Sequence, residues 1–269
     1  MNLRQPYQIM GIVNVTPDSF SDGGKYTSVA AAVSHAQQLI LEGADLLDIG
    51  GQSTRPGYQE VSAEIEAERV IPVIEAIHAI SPIPISVDTY YPEVAAAAIQ
   101  AGATIVNDVK GLDTPNMAET LAEYPDVKVV IMHSRLRKNL PIAKDLQQFY
   151  QEKVQQCQAL KIPLENLCFD PGIGFHKSMA DNIEILKNPA AVRYQAFPLL
   201  YGVSRKRTIG ALTGEQEPAR RDVGSAVASL FAAQQGVEIL RVHNVQALKQ
   251  AFDVWQQLAN KEKNFFNHF

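Results

Sequence analysis

The chain contains 269 residues, of which 46% are hydrophobic and 20% charged, so it is long enough for one large α/β domain or two small ones. Its formal net charge of -5 argues against a general affinity for nucleic acid or anionic membranes. Two cysteines, Cys157 and Cys168, are too few for a disulfide framework. No uncharged apolar run approaches membrane-spanning length and no signal-type apolar segment precedes the first strand, so we expect a soluble, cytoplasmic protein.

The first motif is GIVNVTPDSFSDGG, from Gly11 to Gly24. An apolar run over residues 9–15 predicts a buried strand, which turns polar at Asn14. The following loop carries Asp18 and Asp22 and ends on two glycines. Taken alone, this loop is more simply interpreted as a solvated turn, so a functional interpretation depends on the rest of the chain.

Helical and strand patterns then alternate. Residues 28–42 have apolar positions at helical spacing and are followed by a strand, Leu46–Ile49, that runs into the loop GGQSTRPG. A second amphipathic helix leads to the strand ISVD, which ends at Asp88. Further strands are predicted at 127–132, 167–169 and 198–203, followed by His133, Asp170 and Ser204.

Three stretches repeat one pattern: LEGADLLDIG, QAGATIVNDV and QQGVEILRVH. In each, a helix is predicted to end at a glycine and an apolar strand begins about two residues later. Five positions after the glycines Gly43, Gly102 and Gly236 stand Asp48, Asn107 and Arg241. This regularity indicates stacked αβ units with short connections.

Eight βα units without a break predict a single-domain (β/α)8 TIM barrel over residues 1–260, followed by a C-terminal tail at 261–269. A doubly wound open sheet is the structural alternative, but the pattern shows no central switch. In a barrel the active site lies at the carboxyl ends of the strands, where the polar residues found above would gather.

These residues suggest a chemistry. Buried Asp and Asn side chains at adjacent strand ends suit a planar heterocycle with amino and amide edges. Arg55, the Ser204-Arg205-Lys206 segment and the Arg241-Val242-His243 strand end suit a phosphate or diphosphate. Asn14 and Asp22 beside such cations suggest a hydrated Mg²⁺ site. Each residue alone is more simply a helix cap, a satisfied buried group or a surface charge, so the inference rests on their convergence.

Together these motifs resemble the dihydropteroate synthase family, which comprises pterin-binding (β/α)8 enzymes of folate biosynthesis. The matching segments are MGIVNVTPDSFSDGG (10–24), DIGGQSTRPG (48–57), SVDT (86–89), NDV (107–109), MH (132–133), DPGIGF (170–175), GVSRK (202–206) and RVH (241–243). They span nearly the whole chain in order.

The resemblance implies a transferase that condenses 6-hydroxymethyl-7,8-dihydropterin diphosphate with 4-aminobenzoate and releases diphosphate. It also implies a Mg²⁺ cofactor, a homodimer and a sulfonamide target. The implied pterin contacts are Asp88, Asn107, Asp170 and Lys206, with Met132 and Arg241 against the ring faces. The implied metal ligands are Asn14 and Asp22, and the implied diphosphate contacts are Arg241, His243 and Thr54. The implied aminobenzoate pocket is Phe20, Thr54, Arg55, Pro56 and Phe175. The implied catalytic residues are Lys206, Arg241 and His243.

Several positions depart from the family pattern: Gln52, His176, Arg207, Asn244 and the segment SRLRKNLP after His133. We expect these departures to concern loop closure and the aminobenzoate contacts, because the pterin and diphosphate residues are intact. Two other functions stay open, a pterin-dependent methyltransferase and a pterin-binding paralogue without catalysis. A methyltransferase would have no need of the segments TPDSFSDGG, STRPG and SRK together. A paralogue without catalysis would have no need to retain Asn14, Asp22, Lys206, Arg241 and His243.

Overall fold

The computed structural model describes residues 7–15, 24–52, 60–135 and 140–259. Its eight parallel strands are β1 (Gln8–Asn14), β2 (Leu46–Gly50), β3 (Ile85–Asp88), β4 (Ile105–Asp108), β5 (Lys128–Met132), β6 (Leu167–Asp170), β7 (Leu200–Tyr201) and β8 (Ile239–Val242). They form one sheet in the order β6-β5-β4-β3-β2-β1-β8-β7. A parallel bridge between Phe169 and Leu199 joins the two outer strands, so the sheet is a nearly closed barrel. The predicted (β/α)8 fold is confirmed.

Helices follow the strands and cover the barrel. They are α1 (Gly24–Leu41), α2 (Ala63–Ile80), α3 (Pro92–Gln100), α4 (Met117–Ala122), α5 (Ile142–Ala159), α6 (Met179–Lys187), α7 (Pro189–Val192), α8 (Arg207–Thr213), α9 (Asp222–Gln234) and α10 (Val245–Ala259). None of the helices in the described ranges is long and apolar enough to cross a membrane.

Apolar side chains form two separate cores. The larger core lies between the strands and the surrounding helices, and the smaller one fills the interior of the barrel. The interior core consists of Met10, Leu46, Ile105, Val130, Cys168 and Leu200. Because successive side chains of a strand point to opposite faces, six of the strands contribute to both cores, whereas β3 places the polar Ser86 and Asp88 on its inner face.

The three glycines of the repeated pattern end α1, α3 and α9, as predicted. Gly43, Gly102 and Gly236 all have a positive φ, of 99°, 115° and 94°. At each one the glycine N–H and the next residue's N–H donate to carbonyls of the last helical turn, in the Schellman arrangement. The chain is thereby turned directly into the next strand, and the residue five positions later reaches the barrel mouth.

The main difference from the predicted elements concerns β7, which covers only Leu200–Tyr201 of the predicted 198–203. Beyond Tyr201 the chain leaves the sheet in a turn, in which Lys206 N–H donates to the carbonyl of Val203. Helix α1 also begins at Gly24, earlier than the predicted residue 28. The proposed tail at 261–269 lies outside the described residues, so the domain boundary at 260 stays a prediction.

Candidate active site

An ionic cluster spans the carboxyl end of the barrel. The Arg241 guanidinium donates from Nε to Asp48 Oδ2 at 2.5 Å and from Nη2 to Asp88 Oδ2 at 2.8 Å. Asp48 also accepts from Ser86 Oγ at 2.6 Å and from Asn107 Nδ2 at 3.2 Å. Strands β2, β3, β4 and β8 therefore contribute to one hydrogen-bonded group.

Burial changes the ionisation of this cluster. It raises the pKa of Asp88 to about 8, although Arg241 acts in the opposite direction. For Arg241, burial alone would lower the pKa, but the carboxylates of Asp48 and Asp88 outweigh it and leave the pKa above its ordinary value. A ligand that offers N–H groups to Asp88 would compete with this guanidinium for the same carboxylate.

Asn107 presents an unused acceptor. Its Nδ2 is bound to Asp48, but within the described part of the chain Oδ1 is buried without a hydrogen-bond partner. A buried polar atom without a partner costs about 1–3 kcal/mol, so native proteins seldom retain one without a reason. A ligand N–H group would satisfy this oxygen.

A second charged pair lies across the barrel on β6 and the turn after β7. Burial raises the pKa of Asp170 and lowers that of Lys206 to about 8, and each acts against the shift of the other. Asp170 Oδ1 accepts from Gly172 N–H at 2.7 Å, which fixes the carboxylate. Lys206 Nζ donates to the carbonyl of Ile173 at 2.5 Å and lies 4.8 Å from the centre of the Phe175 ring.

Two further predicted residues border these pairs. Met132 is buried at the end of β5, in register with Asp170. His243 follows β8, and Ser204 Oγ lies 3.1 Å from its backbone N and 2.9 Å from its Nδ1. The end of β8 is thus tied to the turn after β7.

The predicted metal and aminobenzoate residues are only partly described. Asn14 is half-buried at the end of β1, in register with Gly50, so its amide group lies at the barrel mouth. An amide oxygen of this kind fits a hard cation that keeps most of its waters. The residues Phe20, Asp22, Thr54, Arg55 and Pro56 lie outside the described residues.

Two of the polar residues near the predicted strand ends do not present a positive charge to the barrel mouth. Arg205 is directed away from Lys206, because its guanidinium pairs with Asp222 through contacts of 2.6 and 2.8 Å. His133 is buried beside Phe149, and burial, together with Lys177, lowers its pKa to about 4. Neither residue is a free cation at the mouth.

Ser86 and the backbone carbonyl of Ile173 were not singled out from the sequence. Ser86 stands two residues before Asp88, so strand alternation places both on the inner face, and this signal could have identified it. The carbonyl that accepts from Lys206 has no signature in the sequence.

This fold and this cluster define a pterin-binding barrel enzyme, and the model of the family described as pterin binding enzyme matches residues 10–243. A dihydropteroate synthase of Streptococcus pyogenes is 44% identical over 253 residues, which cover 93% of this chain and 95% of the relative. The chain belongs to the dihydropteroate synthase family and is a transferase of folate biosynthesis.

Solved structures agree with this assignment. A Xanthomonas albilineans dihydropteroate synthase with 4-aminobenzoic acid has a TM-score of 0.90 at 46% identity, over 96% of this chain and 94% of that one. The same organism's enzyme in complex with 7,8-dihydropteroate gives 0.87 at 45% identity, over 97% and 96%. A Yersinia pestis dihydropteroate synthase with a sulfonamide drug complex gives 0.87 at 37%, over 96% of each chain. The resemblance inferred from the motifs is confirmed.

Proposed function

We propose that this protein condenses 6-hydroxymethyl-7,8-dihydropterin diphosphate with 4-aminobenzoate, forming 7,8-dihydropteroate and releasing diphosphate. The observation that carries the proposal is a set of largely buried polar side chains at the barrel mouth, which we call the polar layer. Its members are Asp48, Ser86, Asp88, Asn107, Asp170 and Arg241, and the Lys206 ammonium lies beside them. The relatives solved with 4-aminobenzoic acid and with 7,8-dihydropteroate support the same substrates here.

The polar layer matches the hydrogen-bonding edges of a pterin. Asp88, Asp170 and the free Oδ1 of Asn107 would accept from its amino and ring N–H groups. Lys206, with its pKa lowered to about 8 by burial, would donate to a ring acceptor. Once the pterin takes over Asp88, Nη2 of Arg241 would be released, and the guanidinium, still held by Asp48 through Nε, would lie against the ring face opposite Met132.

The chemical step needs help chiefly at the leaving group. Arg241 and His243 would stabilise the charge that grows on the departing diphosphate, and Thr54 would contact it. Asn14 and Asp22 would hold Mg²⁺, which when bound would neutralise further negative charge on the diphosphate. The arylamine is already a competent nucleophile, so no general base is assigned.

The aminobenzoate pocket would combine Phe20, Thr54, Arg55 and Pro56 with Phe175. Phe175 is half-buried, and its ring lies close to the Lys206 ammonium, so it borders the pterin site. This pocket is the proposed target of sulfonamides, in line with the sulfonamide complex of the Yersinia pestis relative.

The proposed functional unit is a homodimer. Helix α9 exposes Val223, Val227 and Phe231, which are spaced four residues apart and form one apolar stripe. The adjacent helix α10 exposes Val254 and Leu258. An apolar surface of this kind suits a second copy of the chain, and sedimentation of wild type and Val227→Glu would test it. A cytoplasmic location stays a prediction from the sequence.

Turnover assays test the proposed reaction directly. Diphosphate should be released from the pterin substrate only when 4-aminobenzoate is present, with dihydropteroate formed in equal amount. Pterin binding without any release would favour the non-catalytic paralogue, and methyl transfer from a pterin donor would favour the methyltransferase.

Calorimetry tests the metal. We expect Mg²⁺ to be required for tight binding of diphosphate but to matter little for the pterin alone, because intervening strands separate Asn14 on β1 from Asp88 on β3 and Asp170 on β6. Equal diphosphate affinities with metal and with chelator would contradict this assignment.

A further inference from the structure

Lys206 reaches its place through a narrow passage. Its Cδ lies 3.3 Å from where a Cβ would stand on Gly174, and its Nζ is bound to the Ile173 carbonyl. The side chain therefore runs close along the loop after β6 before its ammonium reaches the polar layer. A small rotation of the backbone at residue 205 or 206 would misplace that ammonium.

The preceding residue has a strained backbone. Arg205 has a φ of 60°, in the left-handed region that few residues other than glycine and asparagine adopt. Nothing in an arginine side chain favours this conformation locally. It must be held by contacts with the surrounding structure.

Three contacts hold the turn at Arg205. Its N–H donates to Ser225 Oγ at 2.9 Å, and its carbonyl accepts from Arg221 Nη1 at 3.0 Å. Its guanidinium makes the bidentate pair with Asp222 in the first turn of α9. The hydrogen bonds from Arg205 lower the pKa of Asp222, so this pair stays ionised at neutral pH.

The same carboxylate is tied to β8. Asn244 Nδ2 donates to Asp222 Oδ2 at 3.0 Å, while Asn244 Oδ1 accepts from Ala247 N–H at 2.9 Å and so caps α10. Asn244 directly follows His243, whose backbone and ring both contact Ser204. The turn after β7 and the end of β8 are therefore joined at two points, Ser204 and Arg205, which directly precede Lys206.

From this geometry we infer that Arg205 is a positioning residue for the transfer reaction: with Asp222 and Asn244 it locks the strained turn that aims Lys206 into the barrel. The inference rests on the proposed function, because it assigns a role relative to the pterin and diphosphate contacts. Arg205 itself touches neither the pterin site nor the polar layer.

The test is Arg205→Asn, because asparagine tolerates the left-handed backbone but cannot form the bidentate pair. The matched control is Arg193→Asn. Arg193 pairs with Glu238 through contacts of 2.8 and 3.0 Å at the amino end of β8, far from the barrel mouth. Both variants should lose thermal stability. Only Arg205→Asn should raise the Kd for the pterin diphosphate, by about tenfold to a hundredfold, because the loss of one charged hydrogen bond, here that of Lys206, has an effect of that size.

Arg205→Lys keeps one charged contact to Asp222 and should recover part of the affinity. If Arg205→Asn does not fold, Asp222→Asn serves as the second variant, since it keeps the shape of the side chain and removes only its charge. Wild-type Kd and turnover in a folded variant, with stability lowered as in Arg193→Asn, would show that the pair is only structural. Failure of the wild type itself to form dihydropteroate would instead overturn the proposed function.

Discussion

The interior of the barrel contains an apolar layer and a polar layer, supplied by the same strands. Leu46, Ile105, Cys168 and Ile239 are apolar, and the residues two positions later are Asp48, Asn107, Asp170 and Arg241. Because side chains two apart share a face of a strand, the polar layer lies directly above the apolar one. The apolar layer needs only volume and hydrophobicity, whereas the polar layer is buried at a cost that its internal pairing only partly offsets.

The difference separates residues that stabilise the fold from residues placed to bind a ligand. Four strands supply mutually paired groups in the upper layer, yet Asn107 Oδ1 still has no partner among the described residues. Substitutions in the apolar layer should therefore lower stability and spare turnover, whereas substitutions in the polar layer should lower turnover and spare the fold.

The largest effect on stability should come from the apolar layer. Leu46→Ala removes a buried side chain next to Met10 and leaves a cavity, which typically costs about 2–5 kcal/mol. Urea unfolding should show this loss, while turnover per folded molecule stays close to wild type. A variant that keeps its stability but loses turnover would contradict the separation of the layers.

The largest effect on activity should come from the polar layer. Asp170→Asn and Lys206→Met each remove a charged hydrogen bond worth about 1.5–3 kcal/mol, and a loss of up to about 100-fold in kcat/KM follows. Their fold should stay intact, because neither side chain belongs to the apolar cores. Near-wild-type turnover, measured beside circular dichroism and unfolding curves, would remove these residues from the site.

The sequence predicted those parts of this contrast that follow from the regular spacing of helix ends and strands. The glycines that end α1, α3 and α9 fixed the start of each strand, so Asp48, Asn107 and Arg241 could be placed at the barrel mouth from spacing alone. The pairing of Arg241 with Asp48 and Asp88 could not, because it joins residues far apart in the chain. The outward direction of Arg205 depends on a positive φ that an arginine does not signal.

The pH dependence of the polar layer sharpens the comparison. Burial lowers the pKa of Lys206 from 10.5 to about 8, so between these values the unfolded chain holds a proton that the native state has lost. Stability should therefore rise with pH through this window. Pterin affinity should fall over the same range, by about tenfold per pH unit above 8, because the ammonium donor disappears.

The control for this effect is Lys206→Met, which should show neither trend. Asp88 overlaps the lower edge of this window, because its pKa is raised from 3.8 to about 8 and its own contribution to stability falls as pH rises towards that value. Its effect has the opposite sign and is retained in Lys206→Met, so the comparison with that variant isolates the effect of Lys206. Unfolding and calorimetric titration from pH 7 to 10 would measure both quantities. Stability and affinity that fall together above pH 8 would contradict the buried ammonium.

The smallest effect should come from Ser86, which belongs to the polar layer but faces Asp48 and not the ligand position. Ser86→Ala leaves Asp48 Oδ1 without its 2.6 Å donor, which should cost about 1–2 kcal/mol of stability. Asp48 Oδ2 keeps both Arg241 and Asn107, so the positions of the ligand contacts should change little. We expect pterin affinity within about threefold of wild type, a difference below 1 kcal/mol. A loss of affinity as large as that of Asp170→Asn would show that Asp48 needs both oxygens bound to orient Arg241, and the polar layer would then act as one unit.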